Sequence, residues 1–312
     1  MAGTKHVILG SGTIGSALAA ELVSRRLPVR IVNRSGGPDV DGAERMTGDL
    51  MDESFAVAAG ADAAVVYQCL NPPYDKWPDL FPPLQQAAIA AARSSGARLA
   101  SFENVYAYGD TGGAPITEDL PLYAHTRKGR VRATMANELA ALHTRGEVEV
   151  ATARASDYFG PGATVQSQIG ERVIGRALAG KSAQVVGDPA TPHSYTYAPD
   201  AARVLATIGT EASAAGEVWL VPNAPARTTN EIVAMIGTEL GTDIKVSAAP
   251  KVLLRMMGIF NPVVRELGEM LYEFEQPFIV DGSKFETTFG MKPTPLDDSI
   301  RETVAWWKAR ID

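Results

Sequence analysis

The sequence predicts an α/β fold built on a doubly wound parallel sheet, and three observations carry that prediction. A glycine-rich turn, GSGTIG, lies between a short apolar run and an amphipathic segment near the N-terminus. Short β-rich runs alternate with segments of helical periodicity through the first half of the chain, which is how parallel strands joined by crossover helices read in sequence. One of those runs, DAAVVYQCL, is almost wholly apolar, as a strand covered on both faces must be.

Taken in order, HVILG (His6 to Gly10) is the first strand and IGSALAAELVSRR the first helix, with apolar residues at helical spacing and basic residues at its end. VRIVN (Val29 to Asn33) is the second strand, a short third ends at Gly48-Asp49, and DAAVVYQCL is the fourth. In WPDLFPPLQQAAIAAARSSG the Ala-rich part is a helix and Gly96 its C-cap. ARLASF is strand five, Gly129 to His143 a helix and VEVATAR strand six. After Arg154 the loops become rich in Gly and Pro, and SYTYAPDAARVLATIG reads as one more strand-to-helix unit returning to the main sheet. From Glu217 onward come VWLVPN, a helix at Thr229 to Leu240 and a mixed tail. The expected architecture is a Rossmann-type domain over residues 1–155, with 193–215 returning to it, and a smaller C-terminal substrate-binding lobe made of 156–192 and 216–312.

Composition excludes several function classes. A net charge of −7 with no Lys/Arg block argues against a nucleic-acid surface. No run approaches the ~18 apolar residues that span a membrane, and the start MAGTKHVILG has neither the charged region nor the cleavage site of a secretory signal. The single Cys69 rules out an intramolecular disulfide framework and reads as a buried strand thiol. Together these give a cytoplasmic protein. None of His6, His125, His143 and His193 shows metal-ligand spacing, and no GxSxG elbow supports hydrolase chemistry.

Gly10-Ser11-Gly12-Thr13-Ile14-Gly15 carries the first functional signal. Gly10 permits the tight turn, Gly12 lets backbone approach a pyrophosphate, and Gly15 lets the helix pack close to the strand. The helix N-terminus then offers N–H groups to the phosphates. The bland alternative is a Gly-rich turn with no ligand. The end of strand two chooses the cofactor. NAD sites place an Asp or Glu about 20 residues past the loop, whereas here the strand ends Asn33-Arg34-Ser35. Either Arg34 meets a 2′-phosphate with its planar fork, which makes the cofactor NADP, or it is a solvated loop residue. Asp39 and Asp41 keep NAD open.

Several further segments occur in a recognisable order: GDLMD (Gly48 to Asp52), VYAYGD followed by PITEDLP, RASDYFGPG (Arg154 to Gly162), HSYTYAPDAARVL, and VDGSKFETTFGMKPT with IRETVAWW. With the glycine loop they make the chain resemble, over nearly its whole length, the extended short-chain dehydrogenase/reductases of the NAD-dependent epimerase/dehydratase branch. The resemblance implies that Asp49, with Leu50 beside it, contacts the adenine, that Asp157 stands at a cofactor-side Asn position, and that Cys69 and Asn71 after strand four lie along the dinucleotide. Tyr67 and Tyr74 are expected on the same nicotinamide side, and Ala-rich helices after strands four and five allow a homodimer.

The resemblance also implies a Ser or Thr after strand five and a YxxxK pair, and here the chain departs from it. Anchoring on Tyr108-Gly109-Asp110 puts Asn104 at the Ser/Thr position, and anchoring on Glu138 puts Arg130 and Thr134 at the Tyr and Lys positions. Tyr123 and Lys128 do not replace the pair. They are five residues apart, which at about 100° per residue points them to different sides of a helix, and Pro121 and Gly129 mark the stretch as a loop entering one. A loop Lys128 can still swing toward ribose or substrate. Other candidates are Asn104 as a donor to a carbonyl, Tyr106 or Tyr108 as the proton donor, Tyr158 on the same rim, and Arg130 or Arg132 as an anion or oxyanion contact, against a solvated helix face for the arginines. His193 reads as a hydrogen-bonded structural His, and Met256, Met257 and Met270 as pocket or core. The function expected is an NADP-dependent (NAD possible) oxidoreductase or epimerase-like enzyme acting on a small carbonyl or alcohol compound. The alternative is an NADP-binding sensor that has lost the chemistry.

Overall fold

A computed structural model describes residues 3–37, 39–248 and 268–310. The chain divides into two compact units: Met1–Ala107, Lys128–Arg154 and Ala201–Trp219 form unit 1, and Tyr108–Arg127, Ala155–Asp200 and Leu220–Asp312 form unit 2.

Unit 1 is built on β1 (Lys5–Leu9), β2 (Val29–Asn33), β3 (Ala43–Thr47), β4 (Ala63–Gln68), β5 (Arg98–Asn104), β6 (Val150–Ala155) and β11 (Val218–Leu220). They form one seven-stranded sheet in the order β11-β6-β5-β4-β1-β2-β3. β1 pairs in parallel with both β2 and β4, β2 with β3, and β4 with β5. Crossovers run through α1 (Thr13–Ser24), α2 (Glu53–Ala59), α3 (Trp77–Ser95), α4 (Arg127–Thr144) and α6 (Ala198–Thr210). The core between the sheet and α3–α4 is aliphatic and tight: Val66, Ala88, Ala91, Leu99, Leu139 and Val150 are all buried. The alanines of α3 are thus spent inside their own chain.

Three expectations change. The SYTY strand does not enter the main sheet. β10 (Thr196–Tyr197) pairs instead with β7 (Tyr158–Phe159) in a two-stranded sheet, and VWL joins the main sheet as β11. The sequence gives both strands the same β-rich texture, and the partner is decided by non-local bonds: Thr152 N–H donates to Glu217 O (3.1 Å) and Gly216 N–H to Val150 O (2.7 Å). α3 begins at Trp77, before its Ala-rich part, and contains Pro82 and Pro83. Each proline removes a helix hydrogen bond, and burial of Trp77 and Phe81 with Met135 offsets that loss. Finally, α4 begins at Arg127, so Lys128 is a helical residue and not a loop one.

Unit 2 has short elements. β9 (Pro192–His193) runs antiparallel to β12 (Arg227–Thr228), and β13 (Val246–Ala248) parallel to β8 (Ala183–Val185). Its described α-helices include α5 (Arg176–Leu178), α7 (Thr229–Leu240), α8 (Ser283–Phe289) and α9 (Leu296–Lys308). α7 starts with a capping box: Thr228 Oγ1 accepts from Glu231 N–H (3.1 Å) while the Glu231 carboxylate accepts from Thr228 N–H (2.8 Å). Its apolar face closes a second core with Phe159, Val173, Ile232, Ile236, Ile300 and Trp307.

Candidate functional site

In unit 1 the turn between β1 and α1 forms a cradle. Gly10 has φ +106°, and a Cβ there would lie 2.6 Å from the Cys69 carbonyl oxygen. A Cβ on Gly15 would lie 1.9 Å from the Gly10 oxygen, so neither position accepts another residue. Above Gly12 the space is open. Gly12 caps α1 with no side-chain hydrogen bond, and no acidic residue stands in the first turn. The positive end of this twelve-residue helix is therefore not offset by a carboxylate, which suits a diphosphate. Ile14 is buried in the core, while Ser11 and Thr13 stay partly accessible. Ser16 Oγ bonds back to the Ser11 carbonyl (3.0 Å) and steadies the turn.

The tip of β2 is tied to the same turn. Asn33 Nδ2 donates to Ser11 Oγ (2.9 Å), and Asn33 Oδ1 accepts from Gly36 N–H (2.8 Å). Asn33 is thus a structural brace, while Arg34 and Ser35 are exposed beside it. A residue that sequence reasoning missed comes from β3: Arg45 donates to Gly37 O (2.6 Å) and pairs with Asp39 (2.5 Å). It lies twelve positions beyond the strand tip, and no local signal marks it. Asp39 already has a cationic partner, which weakens its case as a ribose acceptor. Asp49 is exposed and accepts from Met51 N–H (3.0 Å), while Leu50 is buried in the core. Cys69 is partly accessible as a residue, but burial of its thiol pushes its pKa up to about 12, so it is no nucleophile. Asn71 is exposed.

The carboxyl end of β5 leads to a column of rings and cations. Asn104 Oδ1 accepts from Tyr106 N–H (3.3 Å), which leaves its NH2 as the donor end. Tyr106 is half-buried and lies on Trp77 (5.9 Å), which meets Tyr74 (5.1 Å) and Phe81 (5.0 Å) edge to face. Lys128 is fully buried with its Nζ 4.0 Å from the Tyr74 ring centre, and the Arg132 guanidinium sits 4.7 Å from that of Phe81. A desolvated cation over a ring gains about 2 kcal/mol. Arg132 is therefore not a solvated helix residue, whereas Arg130 and Thr134 are exposed. Behind Arg132, Arg154 Nε donates to Glu103 Oε2 (2.9 Å) with both side chains buried. Burial pulls the Arg132 guanidinium below its usual value, against the pull of Glu103 and with that of Arg154. Arg132 Nε and Nη1, Glu103 Oε1, Ser101 Oγ, Gln68 Oε1 and Gln85 Oε1 are buried with no hydrogen-bond partner among the described residues. Tyr67 departs from expectation. It is fully buried, its hydroxyl lies 2.9 Å from His6 Nδ1, and burial raises the phenol far above its ordinary value. Its position in β4 points it at α6, where a Cβ on Gly209 would strike it.

In unit 2, Tyr108 is buried, Tyr158 half-buried, and Tyr123 is 81% exposed in the loop before α4. Met270 is buried; Met256 and Met257 lie outside the described residues. Asp157 Oδ2 lies 3.0 Å from His193 Nε2, and His193 Nδ1 lies 3.2 Å from the Glu273 carbonyl oxygen. The Glu273 side chain, which sequence reasoning missed, is itself buried, and burial followed by the Asp157 charge raises its carboxyl well above the usual range. Among the described residues no group of acidic, His and Cys side chains could hold a metal ion, and no helix is long and apolar enough to cross a membrane.

Residues 7–221 match the NAD-dependent epimerase/dehydratase family. An uncharacterized protein, y4nL, of Sinorhizobium fredii is 24% identical over 85% of this chain and 80% of its own. The fold is similar to dTDP-glucose 4,6-dehydratase of Bacillus anthracis in complex with NAD, with TM-score 0.80, 16% identity, and coverage of 98% of this chain and 97% of that one. It is equally similar to UDP-glucuronic acid 4-epimerase of Bacillus cereus in complex with UDP-glucuronic acid and NAD, with TM-score 0.80, 18% identity, and coverage of 98% and 99%.

Proposed function

The chain belongs to the NAD-dependent epimerase/dehydratase family, and from that premise we propose that it is an NADP-preferring enzyme acting on a hydroxyl or carbonyl carbon of a small compound, a sugar nucleotide being the class its structural neighbours suggest. The observation that carries the reading is the cradle. Gly10 and Gly15 are closed to any side chain and Gly12 is open, which fits a dinucleotide diphosphate and nothing bulkier on the protein side. Gly10 to Gly15 would hold the diphosphate, Arg34 a 2′-phosphate, Asp49 and Leu50 the adenine end, and Cys69 and Asn71 the middle. The bound nicotinamide would supply hydride acceptance and donation. For the chain's own groups, Asn104 is proposed to donate to a carbonyl oxygen through its NH2. Tyr106, the accessible phenol past β5, is proposed to move the proton. Arg130 is proposed to meet an anionic group, while Lys128 and Tyr108 are proposed to support from buried positions. Unit 2 is proposed to bind the substrate, and the outer faces of α3 and α4 to form a homodimer.

On the register anchored at Glu138 the Tyr and Lys positions fall on Arg130 and Thr134, both exposed, and that reading favours a second one, a dinucleotide-binding sensor without turnover. Titration calorimetry with NADP+ and NAD+ tests the cofactor half: NADP+ should bind about tenfold tighter or more, and Arg34→Ala should remove that margin while leaving NAD+ affinity unchanged. Tighter NAD+ binding by the native protein would refute the NADP preference. Product analysis with UDP-glucose, UDP-glucuronic acid and simple alcohols tests the rest: turnover lost in Tyr106→Phe supports the enzyme, and tight binding with no product on the whole panel supports the sensor.

A further inference from the structure

Unit 1 has a second opening, at the end of its sheet away from the Gly10–Gly15 turn. His6 is near the start of β1, Arg98 opens β5, Glu149 precedes β6, and α6 ends at Gly209 and Thr210. These residues, with Ala64 and Val65, line a cavity of about 380 Å³, a size that suits a small molecule. The sheet is irregular there. Lys5 pairs with Ala63 and His6 with Val65, so Ala64 has no counterpart in β1, and the β4–β5 pairing begins only at Val65. A bulge of this kind bends a strand and re-aims the side chains beside it.

His6 is 5% exposed, yet only one of its nitrogens is used inside the protein. Nδ1 lies 2.9 Å from Tyr67 Oη, and Tyr67 is fully buried under α6, where Gly209 leaves room for the hydroxyl. That hydroxyl has no other partner among the described residues. Its proton therefore goes to Nδ1, since the opposite arrangement strands an O–H in the core. Burial keeps Tyr67 a neutral phenol. Burial, followed by the Arg25 charge, lowers His6 from its ordinary value and keeps the imidazole neutral. A neutral imidazole that accepts at Nδ1 carries its proton at Nε2. Nε2 is on the ring edge turned away from Tyr67 and has no partner among the described residues. His6 thus presents an N–H donor to the cavity.

The charges around that donor cancel. Arg98 Nε donates to Glu149 Oε1, and Arg98 Nη1 donates to the carbonyls of Ile208 (2.9 Å), Gly209 (3.4 Å) and Glu211 (2.6 Å) at the end of α6. The carboxyl end of α3, capped by Gly96, also borders the cavity, and such an end carries partial negative charge. Arg25 is paired with Glu21 (2.8 Å). Among the described residues around the cavity, no cation is left in surplus to hold an anion, and the donor at His6 does not suit a cation. The Glu149 side chain is 51% exposed, and its Oε2 has no hydrogen-bond partner among the described residues, which makes it a reachable acceptor.

We propose that this cavity is a second small-molecule site, one that takes an uncharged amide or lactam whose carbonyl oxygen accepts from His6 Nε2–H and whose N–H donates to Glu149. Tyr67 is the positioning residue, because it sets the His6 tautomer. The site lies apart from the dinucleotide cradle and does not rest on the cofactor reading.

Nitrogen-15 spectra of the histidine side chains, taken on the full chain, test it, with His6 assigned by the signals lost in His6→Gln. At about pH 7.5 His6 should be protonated at Nε2 alone; any other state overturns the donor. In Tyr67→Phe a share of His6 should carry its proton at Nδ1, and unchanged signals in that variant overturn the role of Tyr67. Benzamide and benzoate are then probes of equal shape, one neutral and one anionic. Benzamide should move the His6 Nε2 signal with a dissociation constant of about 1 mM or tighter, and benzoate should bind at least about tenfold more weakly. No movement up to about 10 mM benzamide, or benzoate binding as tightly, overturns the proposal. Thr210 is exposed on the cavity wall, so Thr210→Trp fills the space without entering the core. It should weaken benzamide about tenfold or more, and an unchanged affinity in that variant overturns the placement.

Discussion

Each unit buries a cluster of charge, and the two clusters are built on different chemistry. Under α4, Arg154 and Arg132 surround Glu103, groups whose cationic members keep their protons at any ordinary pH. In unit 2, beside the Asp157–His193 contact, burial and the Asp157 charge push the Glu273 carboxyl well above its usual range. The first cluster fixes geometry: it pins the end of β5, where Asn104 turns the chain, to the start of β6's exit. The second carries a carboxyl, Glu273, whose burial makes its ionisation costly. A permanent ion pair is costly to break at any pH. A proton-carrying cluster is costly to keep at some pH values and not at others.

The sharpest way to break this contrast is to remove one partner of the permanent pair. Glu103→Ala leaves Arg154 and Arg132 buried without their carboxylate and should cost about 3–5 kcal/mol, read as a fall in the denaturant midpoint. A loss below about 1 kcal/mol would mean that the pair behaves like a solvated one. Next in size is the effect of pH on unit 2. The folded state raises Glu273 well above the ordinary 4.5, so the folded chain holds a proton that the unfolded chain releases. The stability associated with that proton is complete below the unfolded value and falls as pH rises through the folded one. Glu273→Gln keeps the shape and removes the titration. Its melting temperature should exceed that of the native protein at high pH, with the gap closing toward about pH 4.5; a gap that widens in acid would reverse the assignment. The smallest effect sharpens the comparison from outside both clusters. Thr228→Ala removes the α7 cap next to β12 and should cost about 1 kcal/mol, read as a fall in the denaturant midpoint.

The extent to which all this could be read from the sequence follows from how local each feature is. The Gly10–Gly15 turn, the order of strands β1 to β6 and the αL cap at Gly96 (φ 64°) depend on a few adjacent residues, and each was legible. Lys128 was read as a loop residue because Gly129 usually breaks a helix, yet the burial of Lys128 against Tyr74 holds the first turn together. Tyr67 looked like a rim residue because it lies near the carboxyl end of strand four, and the alternation of the strand turned it to α6 instead. The Asp157–His193 contact spans 36 positions and the one to Glu273 spans 80, separations at which no periodicity or spacing in a single sequence speaks. Arg45 illustrates the same limit at shorter range: it reaches Gly37 and Asp39, in the loop after β2, from a neighbouring strand, and register alone brings it there.

The position of β11 has a consequence for how the protein is made. Its residues are the last to join the main sheet, and 62 residues lie between the end of β6 at Ala155 and Val218. At translation rates of about 5–20 residues per second, a growing chain carries β6 as an open border for about 3–12 s, with Thr152 N–H and Val150 O waiting for Glu217 and Gly216. An unpaired strand border of this kind is a template for stray association. Nascent chains halted between these two strands are thus the species most in need of a chaperone, and a truncation ending near residue 200 should be recovered as aggregate although the whole Gly10–Gly15 turn is present.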